Sequence, residues 1–350
     1  MSQSRGDSLR AQLGSPNSTP RPLLTSLNGD NSWLMSFPRP AAERARSSGK
    51  AYFHIVSDPW LTGSANAGAD WIVSIRTPAP AAIPSGAAVE AVIGEIEDAA
   101  ASAGLISAPP TTTGPSAIDA IFLNFHYSDH LDEATLRTFH PEVPVFATAD
   151  SAAIIRRWGY FSHVAETRDL EPGTKWSSLH PGAALPEWLT VFRLRGHHEL
   201  NFATAIIYSS VPSEGGEEKH EALLYSPHGI RTDQAPLKAL LVEFAGGNGV
   251  SVLAILHALK DSFAMGRATT LGVAGGLALQ RVARPKYWVK SHDAPLLYGG
   301  VAAWLLWIND VTRTLKSGLD EEERVKGSEH GERKEPYLVE VENGGCFVLE

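Results

Sequence analysis

The sequence predicts an α/β domain, and three observations carry that prediction. Ala120-Ile121-Phe122-Leu123 is a continuous apolar run that reads as a strand buried on both faces. It leads through Asp132, which caps a helix over Glu133 to Phe139, into the strand Val143 to Ala147 and the helix Ser151 to Trp158. Strand-helix-strand-helix order calls for parallel strands joined by crossover helices. The second half repeats this alternation without repeating sequence, and no period of 20 to 50 residues marks a solenoid.

Taken in order, residues 1 to 21 mix Ser, Pro, Gly and charge without apolar periodicity, which predicts a disordered lead-in that can be removed without loss of folding. Two strands, Leu23 to Leu27 and Ser32 to Phe37, flank the turn Asn28-Gly29-Asp30. A third, Ala51 to Val56, stops at Ser57-Asp58-Pro59-Trp60-Leu61-Thr62-Gly63, where Pro and Gly end it. His54 lies inside this strand and reads as a core residue. Ala87 to Ala103 has helical spacing at Val89, Val92, Ile93, Ile96 and Ala100. Later strands fall at Leu189 to Leu194, Ala203 to Tyr208, Ala222 to Tyr225, Val252 to Leu256 and Tyr287 to Lys290, with a charged hairpin tip over Pro212 to His220. Helices are predicted at Pro236 to Ala245, at Leu271 to Val282, and at Val301 to Leu315 with Trp304, Leu305, Ile308, Val311 and Leu315 on one stripe. The domain proper spans 22–316. A charged loop, 317–335, and a C-terminal strand or tail, 336–350, follow it.

Composition bounds the function. With 350 residues, 43% of them hydrophobic, the chain can bury a substantial core. A net charge of -9 opposes nucleic-acid binding, because phosphate contacts need a concentrated basic face. The basic stretch Arg281 to Lys290 is broken by apolar residues and reads as a solvated helix end and strand edge. The single cysteine, Cys346, forms no internal disulfide, and Met1 to Pro20 lacks the apolar stretch of a secretory leader, so a reduced, cytoplasmic setting is expected. Leu296 to Ile308 is too short for the roughly 20 residues of a membrane span. Gly246-Gly247-Asn248-Gly249 follows a helix and precedes a strand, the reverse of a dinucleotide loop, and reads as a turn. Gly272 to Gly276 fits a helix packed closely on a sheet.

The residues that bear on chemistry gather where the buried strand ends, at Asn124 to His130. Ligand sites in α/β sheets collect at the carboxyl ends of strands, and His with carboxylate is the donor chemistry of zinc, iron or manganese. His126, Asp129 and His130 are therefore candidate metal ligands. The alternative is that they only satisfy backbone groups of a loop.

The order of features resembles the metallo-β-lactamase superfamily over about residues 23 to 310. The carrying segments are Asp58-Pro59-Trp60-Leu61-x-Gly63, the buried strand leading into Asp129-His130, Tyr225-Ser226-Pro227-His228-Gly229, and Tyr287-Trp288-Val289-Lys290-Ser291-His292-Asp293. The likeness is strongest to a divergent fungal branch of that superfamily. It implies a four-layer αββα sandwich and a metal-dependent hydrolase acting on an ester, lactone or phosphodiester bond of a small molecule.

The superfamily pattern H-x-H-x-D-H, laid on Phe125-His126-Tyr127-Ser128-Asp129-His130, keeps only its last two ligands. Phe125 and Tyr127 stand where the first two His belong, and both are expected to form an apolar floor to the cleft. The resemblance then implies one half-site: Asp129, His130 and His292, with His228 completing four-coordination. His197 or His198 is all that remains for a first metal position. At most one zinc or other divalent transition-metal ion is expected, with Asp129 orienting a water or taking its proton. The rival expectation is a non-catalytic protein of the same fold with a binding or regulatory role and no ion.

Overall fold

The run Ala120–Leu123 does sit between two apolar layers. Ala120 and Phe122 face one hydrophobic cluster and Ile121 and Leu123 another, so successive side chains of one pleated strand serve two cores. A computed structural model describes residues 5–14, 19–46, 49–66, 71–110, 114–210, 218–246, 249–326 and 335–350. Residues 212–217 of the hairpin tip expected over Pro212 to His220, and residues 247–248 of the expected turn, lie outside the described residues.

The first sheet is built from β1 (Leu23–Ser26), β2 (Trp33–Pro38), β3 (Tyr52–Ser57), β4 (Ala120–Leu123), β5 (Val145–Ala147) and β6 (Val164–Glu166). The second takes β7 (Arg168–Asp169), β8 (Leu189–His198), β9 (Asn201–Ser210), β10 (Lys219–Tyr225), β11 (Val250–His257), β12 (Tyr287–Lys290) and β13 (Leu338–Val339). A last strand, β14 (Cys346–Val348), returns to the first sheet beside β1. The orders are β14-β1-β2-β3-β4-β5-β6 and β13-β12-β11-β10-β9-β8-β7. β3 to β6 are mutually parallel, as are β10 to β13.

Phe37, Ile55, Phe122 and Phe146 of the first sheet share a core with Val191, Ile206, Leu223, Leu256 and Val289 of the second. The outer face of the first sheet is covered by α1 (Arg5–Leu13), α2 (Gly86–Ser102) and α3 (Ala149–Trp158). The outer face of the second is covered by α4 (Ala235–Ala245), α5 (Gly272–Ala283) and α6 (Leu315–Lys326). Helix, sheet, sheet and helix in succession make the four-layer αββα sandwich. α5 lies close to β12 because Gly276 lacks a side chain, and a Cβ there would stand 2.1 Å from Cζ2 of Trp288.

Three expectations are corrected. Within the expected disordered lead-in, the described residues are ordered: Arg5–Leu13 is helical, with Leu9 and Leu13 buried one turn apart and Arg5 gripping both oxygens of Glu95 on α2 at 2.7 and 2.8 Å, and residues 1–4 and 15–18 lie outside the described residues. Two leucines at i and i+4 suffice once a partner helix exists, although the segment has little helical tendency alone. The helix over Val301 to Leu315 is interrupted. It stops at Leu305, Trp307 takes a left-handed φ of 47°, and Asn309–Val311 pairs as a strand with Asp261–Phe263. The pairing brings the Asp310 carboxylate to the buried Lys260 ammonium at 2.9 Å, so that neither charge is left buried alone. The charged segment 317–335 is helical through Lys326, continuing α6, and residues 327–334 lie outside the described residues.

Candidate metal centre

Five loops that follow parallel or adjoining strands meet where the two sheets approach each other. Asp58 comes directly after β3 and hands its backbone N–H to the carbonyl of Phe122 at 2.9 Å. Asp129 and His130 lie in the turn after β4, where His130 N and Leu131 N both donate to Tyr127 O. His228 follows β10 and His292 follows β12. Asp30 belongs to the turn between β1 and β2, and its carbonyl accepts the backbone N–H of His292 at 2.9 Å.

The imidazoles of His130, His228 and His292 converge, each offering one ring nitrogen, with these atoms all within 4.8 Å of one another. All three residues are buried. The Asp129 carboxylate faces two of them, with Oδ2 3.8 Å from His130 Nε2 and 3.9 Å from His292 Nε2. These separations exceed a hydrogen bond. They approach the ~3.4 Å that separates two ligands of a tetrahedral ion bound at about 2.1 Å.

The opposite ring nitrogens are fixed. His130 Nδ1 is 2.8 Å from Asp58 Oδ2, and His292 Nδ1 is 2.8 Å from Asp30 Oδ2. A carboxylate beside Nδ1 takes its proton as a hydrogen bond and leaves Nε2 as the lone-pair side, the arrangement that orients metal-binding histidines. Both carboxylates are held in turn: Asp58 Oδ1 accepts from Asn124 N and Nδ2, and Asp30 Oδ1 accepts from Ala294 N. Asp58 and His292 have φ of 45° and 57°, a left-handed backbone that non-glycine residues rarely adopt, so local strain is concentrated at this site.

The donor set fits a divalent cation on three counts. His130 Nε2 and both ring nitrogens of His228 are buried with no hydrogen-bond partner among the described residues, and a buried polar atom left unpaired in this way carries a desolvation cost that a bound ion would offset. Three carboxylates, Asp30, Asp58 and Asp129, bring negative charge to three imidazoles. Burial disfavours the His130 imidazolium, yet Asp129 and Asp58 outweigh it and hold its pKa up to about 9. Burial, joined by repulsion from His292 and His130, keeps His228 neutral, well below the ordinary histidine range. Burial also opposes ionisation of Asp30, but the charge and hydrogen bond of His292 prevail and bring it down to about 2.

The remaining sequence candidates lie elsewhere. His126 is half-buried, with its ring against Phe125 at 4.7 Å and edge-on to Tyr127 at 4.9 Å, and it is not one of the converging imidazoles. Phe125 takes the inward place: its buried ring lies 5.7 Å from that of His130 and 6.2 Å from that of His228. Tyr127 stacks on Phe125 but is 43% exposed, and its hydroxyl donates to Glu199 at 2.9 Å, so Phe125 alone lines the floor. His197 and His198 are both exposed at the end of β8 and contribute nothing to the cluster. Asp30 and Asp58 are the participants that sequence reasoning did not assign. Asp58 carried a signal in its Asp-Pro-Trp segment, whereas Asp30 looked like an ordinary turn residue.

Two other histidines are structural. His54 is fully buried, with Nδ1 2.9 Å from Ser36 Oγ and Nε2 2.9 Å from Glu97 Oε1. Glu97 also accepts the backbone N–H groups of Ala51 and Tyr52, so this chain of polar groups pins α2 to β3. His257 sits behind His228, across Gly229, where φ is 87° and a Cβ would come 2.9 Å from His257 Nε2.

No known family profile matches the sequence, and no curated protein matches it. Among solved structures the chain is similar to an isothiocyanate hydrolase from Delia radicum gut bacteria, at 14% identity and a TM-score of 0.48 over 93% of this chain and 99% of that one. It is similar to a metallo hydrolase from the archaeon Ignicoccus hospitalis at 11% identity and 0.44, covering 94% and 98%. It is also similar to the metallo-beta-lactamase fold protein YhfI of Bacillus subtilis at 10% identity and 0.43, covering 93% and 99%. Likeness at this level assigns no chemistry to this chain.

Proposed function

We propose that this chain is a metal-dependent hydrolase with a single divalent ion, zinc or another transition metal, held by Asp129, His130, His228 and His292. The observation that carries this reading is the pairing of inward and outward ring nitrogens. The outward nitrogens of His130 and His292 are each fixed by a carboxylate, while the inward ones share a buried space with a third carboxylate. When bound, such an ion lowers the pKa of a water towards neutrality and polarises a carbonyl or phosphoryl oxygen.

The protein's own groups would do the rest. Asp58 and Asp30 hold two imidazoles in the tautomer that presents Nε2. Asp129, facing both rings, is placed to orient a water or accept its proton. Phe125 and its neighbour Phe202, with ring centroids 5.6 Å apart, supply an apolar wall that keeps bulk water from one side. The substrate class is a small ester, lactone or phosphodiester, and the net charge of -9 disfavours a nucleic-acid polymer.

The test is hydrolysis of a panel of these three bond types by protein purified without chelator, then stripped and reloaded. Activity that vanishes on stripping, returns with one equivalent of metal and falls at least a hundredfold in Asp129→Asn is expected. A second reading, a non-catalytic binding protein, is favoured by Phe125, whose ring stands where the family pattern has a ligand. Stoichiometric metal without turnover of any bond type would support that reading instead.

A further inference from the structure

Two three-stranded sheets lie outside the sandwich layers. One joins Ala65–Asn66, Ser74–Arg76 and Leu297–Gly299, and the other joins Asp261–Ala264, Arg267–Ala268 and Asn309–Val311. The chain runs from the first to the second through the short helix Val301–Leu305 and the turn at Trp307. Backbone bonds tie the neighbouring tips to this crossing: Val301 N donates to Trp71 O and Ala302 N to Ile72 O, both at 2.9 Å, and Met265 N donates to Leu306 O at 2.6 Å. Trp71, Met265, Val301, Trp304, Leu305 and Trp307 therefore belong to one continuous stretch of surface.

All six are exposed, the three tryptophans by 71 to 74%. Single exposed apolar residues are ordinary, but a contiguous set is not. With about 250 Å² for a whole buried tryptophan, the three together offer roughly 500 Å². Val301, Leu305 and Met265 carry the patch beyond the roughly 300–600 Å² of the largest patch on a typical monomer, towards the ~800 Å² that each partner gives to a standard interface. The charges around it are few. Arg76 and Arg267 are exposed at the border, Asp261 is paired with Arg313, and Asp310 is buried against Lys260. Tryptophan, methionine and arginine with little acid or lysine is the composition of an interface centre.

We propose that this face is a homodimer interface, its occupant the same patch on a second copy. The area matches what a stable pair needs, and a twofold axis makes one patch its own complement. A lipid surface fits less well, because adhesion to anionic bilayers typically uses about four to eight clustered cations and here two border the patch on a chain of net charge -9. The inference does not depend on the metal centre.

Light scattering after size exclusion and sedimentation velocity at micromolar concentration should give about 75 kDa, twice the 37.6 kDa chain. Trp304→Glu combined with Trp307→Glu should give the monomer mass with an unchanged far-ultraviolet spectrum. Met265→Glu, at a surface turn, serves if that variant misfolds. Val242→Glu, which charges an equally exposed apolar site on α4, should leave the dimer intact. A wild-type monomer at all concentrations overturns the proposal, as does a dimer that survives both patch variants. A wild-type monomer that co-sediments with phosphatidylglycerol vesicles also overturns it, and assigns the patch to a lipid surface.

Discussion

Asp30 and His292, 262 residues apart in sequence, form a side-chain bond of 2.8 Å while the backbone N–H of His292 donates to the carbonyl of Asp30. One turn residue thus fixes both the tautomer and the position of a histidine from the other half of the chain. Asp30→Asn keeps an acceptor but removes the charge that makes Nε2 a stronger donor to a cation. Metal affinity, measured by competition against a chromophoric chelator, is expected to fall about 10- to 100-fold with full occupancy still reached at saturation. Unchanged affinity would show that Asp30 serves only the backbone.

The ligand assignment predicts a sharp division among histidines. His130→Ala, His228→Ala and His292→Ala should each lose most of the tightly held metal, while His54→Ala, His126→Ala and His197→Ala keep it. Elemental analysis of dialysed protein checks this, and two equivalents resisting dialysis would contradict a single-ion site.

Phe125 and Tyr127 now separate in their expected effects. Tyr127→His should change metal content little, because that side chain reaches outward to Glu199. Phe125→His puts an imidazole beside His130 and His228 and should raise stoichiometry, at a stability loss of about 2–4 kcal/mol for exchanging a buried aromatic ring. A folded Phe125→His variant that gains no metal would mean that this position cannot complete a second ligand set.

Removing residues 1–14 should destabilise the fold, contrary to what composition alone implies. Leu9 is fully buried against the layer that includes α2, and Leu9→Ala is expected to cost about 2–4 kcal/mol in denaturant unfolding. A loss under about 0.5 kcal/mol would show the helix to be loosely docked.

Acid should weaken the metal-free protein through His257. Burial, only partly offset by the hydrogen bond from Nδ1 to the carbonyl of Ala258, lowers its pKa to about 4, against about 6.5 in an unfolded chain. The unfolded state then binds more protons between these values, so stability rises with pH across that window and is lost as pH falls from 6.5 towards 4. Unfolding free energy should drop by roughly 2 kcal/mol from this group between pH 7 and pH 5, and His257→Gln should flatten the dependence by a similar amount. An equal slope in wild type and variant would refute this. His54 and His228, also lowered by burial, act with the same sign.

The sequence was most legible where one physical constraint ruled. Ala120–Leu123 must be buried on both faces, so the layers could be anticipated from the residues, whereas Asp129, His130, His228 and His292 were singled out as a set through the superfamily resemblance. Val301 to Leu315 misled because its helical spacing includes Trp304 and Leu305, which stay exposed, while Asp310, a polar residue beside the stripe, pairs with the buried Lys260. Asp30 was hidden because its role depends on which loops meet in space, and Asp58 showed only as part of a segment that carries the resemblance, with no role assigned. His126 was a one-residue ambiguity that only the direction of Phe125 resolves.

The distribution of the four proposed ligands along the chain also sets when such a site can assemble during synthesis. Asp129 and His130 leave the ribosome long before His228, and His292 with the edge strand β14 comes last, yet β14 must pair with β1 to finish the first sheet. A nascent chain halted before residue 292 holds three of the four proposed ligands and an unfinished sheet. The site, as proposed, therefore assembles only after the strands that carry its ligands in both sheets have been made.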